Sequence, residues 1–320
     1  MTEDIEKIIA MALYAPSAHN SQPWKFKVDG KKIFVYLEPS RMLSESDKEH
    51  RQAFESIGCV VKAVEIVASH YNYSTATSYI GRTTDDFLAV EIIFDKKITN
   101  EERDSLALLL PKRITNRYPY EKTPLPPSFV ERLKLFNTEE IHVDLIAEKS
   151  LRDRIADITL KAMIETLDNK GFRKELSQYV KSNVSSSKIG IPAYGMGIPT
   201  PVSFFVPTLI RFLNISRLNK RKDEKLLKEG TPAFIVISSV DNPVSWMKVG
   251  MTYLHIALLA EQNGLKTAPW TAPIETSSYH KELRQLLDLK MRPQLLTRIG
   301  YTKKVTRPAP RLPLHVILES

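Results

Sequence analysis

The sequence predicts an α+β protein made of two related halves that pack on each other as a pseudo-dimer. Two features predict it. Strand candidates and apolar helices alternate in a similar order on both sides of the middle of the chain. When Gly58 is laid on Gly250, Ile66-Val67-Ala68 falls on Leu258-Leu259-Ala260, inside two long apolar helices that each lie between strand candidates.

The elements follow in order. Residues 2 to 14 read as a helix with Thr2 as cap, Glu3 and Asp4 in its first turn, and Ile5, Ile8, Ile9 and Ala12 on one face; Pro16 ends it. Trp24 to Leu37 alternates as two strands around Asp29-Gly30, a hairpin signal. Asp47 to His70 has Phe54, Ile57, Val61, Val64 and Ala68 at helical spacing, and Leu88 to Phe94 reads as a strand. Residues 98 to 126, rich in charge and proline, form the linker. In the second half Ser150 to Asp153 is a capping box opening a helix to about Asn169. Thr231 to Val240 is a strand, Val244 to Asn263 a central helix closed by Asn263-Gly264, and Leu295 to Tyr301 a strand. The halves are 1–110 and 111–320, with 176–230 an insertion unique to the second, either a lid or an interaction surface.

The 320 residues are 42% hydrophobic and 26% charged, a composition that suits a folded soluble chain and not a disordered one. No apolar run approaches a bilayer span. The acidic start, Thr2-Glu3-Asp4, lacks the basic opening of a leader peptide, and the single cysteine, Cys59, cannot form an internal disulfide; both point to the cytoplasm. The formal charge is +9, and the excess is uneven: residues 171–230 hold 11 basic against 4 acidic residues. A basic face suits nucleic acid, anionic lipid or a phosphorylated ligand. With no helix-turn-helix, zinc-finger or aromatic RNA-binding pattern, nucleic acid is set aside, and Lys220 to Lys225 reads as a solvated segment.

Ala15 to Trp24 packs Ser17, Asn20, Gln22 and Trp24 into one loop, a set suited to hydrogen-bonding the edge of a flat cofactor or a phosphate. It equally suits a helix-ending turn with a core tryptophan. Arg113-Ile114-Thr115-Asn116-Arg117 sets two guanidinium groups four residues apart around a hydroxyl, enough to hold a phosphate and to place a cation beside a conjugated ring. Alone it is also an ordinary basic stretch, as is Lys303 to Arg311, whose prolines leave the side chains splayed. There is no nucleophile elbow, Walker loop or HExxH, and the seven histidines lack ligand spacing, so no metal is expected. His255 and Cys59 read as core residues.

Together these segments resemble the FMN-dependent nitroreductase family, in particular its tandem, Acg-like branch. Ala15-Pro16-Ser17 followed by Asn20-Ser21-Gln22-Pro23-Trp24 is similar to the family's APSxxNxQPW signature. Arg113, Thr115 and Arg117 match its R-x-[ST]-x-[RK] element, and Pro310-Arg311-Leu312-Pro313 resembles its C-terminal segment. The resemblance implies central, mostly antiparallel sheets flanked by helices. It also implies bound FMN reduced by NADH or NADPH, and hydride passed to a nitroaromatic, quinone or similar small acceptor, with no catalytic side chain. It assigns Arg113, Thr115 and Arg311 to the phosphate and ribityl chain and Arg117 to the ring, with Asn116 among the cofactor-binding residues. Pro16, Ser17, Asn20 and Gln22 become the opposite wall, and Ala272, Pro273 and Ile274 a cover over one ring face. The signature loop occurs once, and so does the arginine element, which implies one complete site built across the halves of a single chain, an arrangement that lets the chain remain a monomer. Neither membrane nor nucleic acid is an expected partner. If Val202 to Leu213 closes over the ring, the alternative is FMN storage. A flavin-free structural or nucleic-acid-binding protein is the third class.

Overall fold

A computed structural model of the chain describes residues 2–80, 87–96, 99, 104–276 and 278–319. The first unit runs α1 (Thr2–Ala12), β1 (Trp24–Asp29), β2 (Lys32–Leu37), α2 (Arg51–His70), β3 (Ser74–Tyr79) and β4 (Leu88–Asp95). The second contains α3 (Pro127–Lys134) and β5 (Ile141–Ile146). A long segment follows, of α4 (Lys149–Asp168), α5 (Lys170–Tyr179), β6 (Val180–Lys181), β7 (Ile191–Pro192), α6 (Thr200–Ser203), α7 (Val206–Phe212) and α8 (Ile215–Lys228). The unit then resumes with β8 (Ala233–Ser239), α9 (Pro243–Gln262), β9 (Lys266–Pro269), α10 (Ala272–Glu275), α11 (Tyr279–Leu286), β10 (Arg292–Gly300) and α12 (Leu314–Ile317).

The two four-stranded sheets have one topology. The first is ordered β1-β2-β4-β3 and the second β5-β8-β10-β9, all neighbours antiparallel, with α2 and α9 each bridging the second and third strand in chain order. An α+β fold of two alike units is therefore present. What separates them is the connection between the first two strands. In the first unit it is the turn at Gly30, whose φ of 56° is the left-handed backbone that Asp-Gly hairpins favour. In the second unit it is everything from α4 to α8.

α2 and α9 meet at the two glycines that the sequence alignment paired. A methyl built on Gly58 would lie 1.8 Å from the Met247 carbonyl oxygen, and one on Gly250 would lie 1.8 Å from that of Glu55. Only glycine lets the backbones approach this closely, so the main core forms around the crossing, with Ile57, Val61, Val249 and Leu254 fully buried. Trp24, also fully buried, anchors β1 into this core.

Several boundaries differ from expectation. α2 begins at Arg51 and not Asp47, because the Asp47 carboxylate reaches forward to accept from the amides of Gln52 (3.0 Å) and Ala53 (2.8 Å). The capping box at Ser150 does not form: α4 starts at Lys149, and Asp153 pairs with Lys149 at 2.5 Å. The sequence carries no clear strand signal for β3, β5 and β9, which are Ser/Thr-rich, charge-interrupted and Pro-ended segments. Of the expected linker, residues 98 and 100–103 lie outside the described residues, and Leu106, Ala107 and Leu110 are buried in the main core.

Two further segments run along sheet edges. Residues 113–117 run beside β9, where Thr115 bridges Thr267 and the Asn116 amide donates to the Thr267 carbonyl at 3.0 Å. The C-terminus crosses back to β1: Leu318 bridges Phe26, and the Glu319 amide donates to the Phe26 carbonyl at 2.8 Å. These two crossings bring the arginine segment and the chain end to the loop before β1.

Candidate functional site

The loop between α1 and β1 is held in an uncommon shape. His19, Asn20 and Gln22 have φ values of 49°, 54° and 53°, in the left-handed region where side chains cost energy. Hydrogen bonds fix it there. The Gln22 amide donates to Ser17 Oγ at 2.9 Å, the Ala18 amide to Ser56 Oγ at 3.2 Å, and Arg41 Nε to the Gln22 carbonyl at 2.8 Å. Asn20 Nδ2 donates to the carbonyls of Gly190 (3.0 Å) and Pro310 (3.1 Å), tying the loop to the long inserted segment and to the chain end.

Against this loop stand three arginines with no carboxylate within ion-pair distance among the described residues. Arg113 is buried; Nη2 reaches the Tyr14 carbonyl at 3.4 Å, while Nε and Nη1 are buried without a partner. Arg311 spends its donors on neutral oxygens: Leu13 O (2.9 Å), Asn20 Oδ1 (3.0 Å), Ala309 O (3.0 Å) and Tyr14 O (3.2 Å). Burial and then the charge of Arg113 bring its pKa down to about 9, the signature of cations crowded together without an anion. Burial lowers the pKa of Arg117 too.

Two adjoining cavities open here and share Pro16, Ser17, His19, Thr115 and Arg117 as a common wall. The first, about 650 Å³ including its mouth, is the cationic end, with Arg113, Arg307, Arg311, Asn20 and, from the inserted segment, Ile191, Pro192, Tyr194 and Gly195. Arg307 lies 4.0 Å from the centre of the Tyr194 ring, and Tyr194 Oη donates to the Pro308 carbonyl at 2.9 Å, which fixes this roof. The second, about 690 Å³, lies over the α2–α9 crossing between Gln52, Glu55, Ser56 and Cys59 on one side and Gly250, Tyr253, Pro269 and Thr271 on the other.

At that end Glu55 pairs with the buried Arg51, which also contacts Glu275 and donates to the Gln294 carbonyl at 2.5 Å. Desolvation outweighs the pull of Arg51 and pushes the Glu55 carboxyl up to about 7. Burial holds His19 neutral, its pKa down to about 4; its ring packs 5.8 Å from that of Tyr179. Burial also raises the Cys59 thiol.

Of the residues expected at a site, Pro16, Ser17, Asn20, Arg113, Thr115, Arg117 and Arg311 line the cavities. The remaining five do not. Strand-like alternation sends Asn116 to the side opposite Thr115, where Nδ2 donates to the Lys304 carbonyl at 3.0 Å. Gln22 is fully buried as a clamp: Nε2 donates to the Lys188 carbonyl at 2.8 Å, and Oε1 accepts from the Leu312 amide at 2.9 Å. Ala272, Pro273 and Ile274 form the one-turn helix α10, and Ile274 packs into the second core with Ile155 and Leu160 of α4. The residues that reach the cavity are Pro269 and Thr271 just before it. Val202 to Leu213 line neither cavity, so the inserted segment roofs the cationic end and leaves the α2–α9 end free of it. Sequence reasoning missed His19, Gln52, Glu55, Ser56, Tyr194 and Tyr253. A signal existed for three of them: Gln52, Glu55 and Ser56 form a polar stripe at i, i+3 and i+4 on a helix otherwise apolar at that level.

A sheet-and-helix protein with an anion-hungry cleft at the seam of two units defines the class, and comparison narrows it. Residues 1–56 match the family described as "Putative TM nitroreductase". From Mycobacterium tuberculosis, "Putative NAD(P)H nitroreductase Rv3131" is 22% identical over 312 residues, 97% of this chain and 89% of that one. "Putative NAD(P)H nitroreductase acg" from the same organism is 23% identical over 322 residues, 99% and 95% of the two chains. Among solved structures, the FMN-dependent nitroreductase NfnB from Mycobacterium smegmatis in complex with NADPH aligns at 15% identity and a TM-score of 0.42, over 65% of this chain and 94% of that one. The chain is thus similar to proteins named as nitroreductases, the Acg protein among them, over nearly its whole length.

Proposed function

We propose that this chain is an FMN-binding oxidoreductase of nitroreductase type, taking hydride from NADH or NADPH and passing it through FMN to a small nitroaromatic, quinone or similar acceptor. The observation that carries this reading is the cationic cavity: among the described residues, Arg113, Arg117 and Arg311 face it without a carboxylate, and two buried nitrogens of Arg113 have no partner. Leaving such donors unsatisfied is costly, and a phosphate satisfies them. The adjoining cavity over the α2–α9 crossing gives a flat group room beyond the phosphate end.

On this reading Arg113 and Arg311 hold the phosphate, Asn20 and Thr115 flank it, and Pro16 and Ser17 line the passage to the ring end. Bound flavin supplies the hydride chemistry. Arg117, at the passage, offers a fixed cation toward negative charge gained on reduction. Glu55 stands at the ring end as a carboxyl able to hold or release a proton near neutral pH, and Tyr253 and Cys59 keep the cavity floor dry. No side-chain nucleophile is required.

The alternative reading is an FMN store closed by a lid. The openness of the ring end to segments other than 176–230 favours turnover, since a lid that roofs the phosphate secures the flavin without covering its reacting face. Stopped-flow mixing of the FMN-loaded protein with NADH or NADPH tests the choice: rapid bleaching of the flavin band is expected, and an unbleached band means storage. A purified protein that takes up no FMN overturns both. The same reading divides the chain into halves at 110/111 and makes it a cytoplasmic protein that is its own pseudo-dimer, able to work as a monomer.

A further inference from the structure

α7 is apolar on both sides. Val206 and Ile210 point inward, buried with Val180 in a small core. Phe205, Leu209, Phe212 and Leu213, at i, i+4, i+7 and i+8, form an outer face that is 43% to 68% exposed, and Val202 and Phe204 extend it over α6. A helix hydrophobic all round has its outer side covered by a second apolar phase, and a contiguous patch differs from single surface hydrophobics.

The surrounding charge says which phase. Arg211 sits within the patch, and α8, which follows directly, exposes Arg217, Lys220, Arg221, Lys222 and Lys225. Arg217 is taken by Asp168 at 2.6 Å. The other five cations have no carboxylate within ion-pair distance among the described residues, and the acids of α8, Asp223 and Glu224, are half-buried. A second copy docked patch to patch would bring these cations against one another, since a two-fold contact sets like on like. Aromatic and aliphatic side chains beside uncompensated Arg and Lys suit an anionic bilayer surface, where rings enter the acyl boundary and the long cations reach the phosphates.

We propose that α6, α7 and the first turns of α8 dock this protein on anionic membrane surfaces. No described helix is long and apolar enough to cross a membrane, and surface docking needs none.

The test is co-sedimentation of the full chain with vesicles of phosphatidylcholine, with and without about 30% phosphatidylglycerol; the bound fraction is expected to rise at least about tenfold with the anionic lipid. Phe205→Ser/Phe212→Ser and, separately, Lys220→Gln/Arg221→Gln/Lys222→Gln should each return it toward the neutral-vesicle level. Because these side chains are exposed, both variants should melt like the parent. Equal sedimentation with both vesicle types overturns the proposal, as does a double-Phe variant that binds like the parent. A concentration-dependent dimer that the double-Phe variant abolishes, without vesicle binding, assigns the patch to a second copy and also overturns it.

Discussion

Gly58→Ala probes the seam on which the site is built. The new methyl would sit 1.8 Å from the Met247 carbonyl oxygen and 2.6 Å from its carbon. Ordinary carbon–oxygen contact begins near ~3.2 Å, so α2 and α9 must part by roughly 1.4 Å where they cross. The obstacle is backbone, with no side chain to swing aside, which places the overpacking cost above its usual range of about 1 to 3 kcal/mol, at about 4 kcal/mol. Alanine returns about 1 kcal/mol through helix propensity, leaving a net loss of about 3 kcal/mol. With about 2.1 cal/mol/K of unfolding entropy per residue, over 320 residues, that loss lowers Tm by roughly 4 to 5 °C. Gly250→Ala meets the Glu55 carbonyl at the same 1.8 Å and should cost the same. One separation of the helices relieves both clashes, so the double variant should lose about 1 to 2 kcal/mol less than the sum of the singles. Differential scanning calorimetry on the four proteins reads all of this. A single variant that melts with the parent, or strictly additive losses, would refute the reciprocal crossing.

Arg113→Ala should raise the FMN Kd about 10- to 100-fold, as loss of a charge-assisted contact does, read by titrating flavin fluorescence; an unchanged Kd removes Arg113 from the site. Arg311→Ala should do the same and also lower Tm, because its guanidinium holds the Leu13 and Tyr14 carbonyls that end α1. Glu55 has a folded-state pKa of about 7, raised from 4.5 by burial, so its stability contribution is fully present below the unfolded value and is lost as pH rises through 7. Glu55→Gln should therefore match the parent near pH 4 and exceed it near pH 8 by at most about 3 kcal/mol in urea unfolding; a gap constant with pH contradicts this. Flavin absorbance against protein concentration should give one FMN per chain, and two would end the one-site reading.

The parts of the fold legible from sequence were those with local causes. The Asp29-Gly30 turn, the α1 periodicity and the all-apolar α9 needed nothing beyond their own residues. The Gly58–Gly250 alignment was also readable, because a close crossing demands glycine on both partners. Edge strands outside the β1–β2 hairpin were not: β3, Ser74 to Tyr79, borrows its place from β4, and β9 borrows its from β10. In the site, the residues that touch solvent-sized space and those that merely hold the loop share one vocabulary. Gln22 and Asn20 are both amides in one turn, yet Asn20 lines a cavity and Gln22 clamps Leu312. Which way an amide points depends on where residue 312 arrives, and no local rule supplies that.

Why a chain with two like units should form one such cavity follows from where its cations fall. With Gly58 laid on Gly250, Ser56 and Cys59 correspond to Lys248 and Met251, and the loop before β1 corresponds to the stretch before β5. These counterparts do line a surface groove, with Leu135, Phe136, Thr138 and His255. Its cations are already engaged: Lys248 pairs with Glu140, and Lys62 with Glu65 at 3.2 Å. His255 packs edge-on against Phe136, 5.0 Å between ring centres, and burial holds it neutral with a pKa of about 4. The groove thus keeps the shape of the seam without the unpaired guanidinium groups that make its counterpart attractive to an anion. The arginines stand on two segments that reach the loop before β1 from the second sheet, 113–117 and the stretch after β10. Both segments converge on the loop before β1, which gathers the arginines at one end of the seam, while among the described residues the groove at the other end has only paired cations.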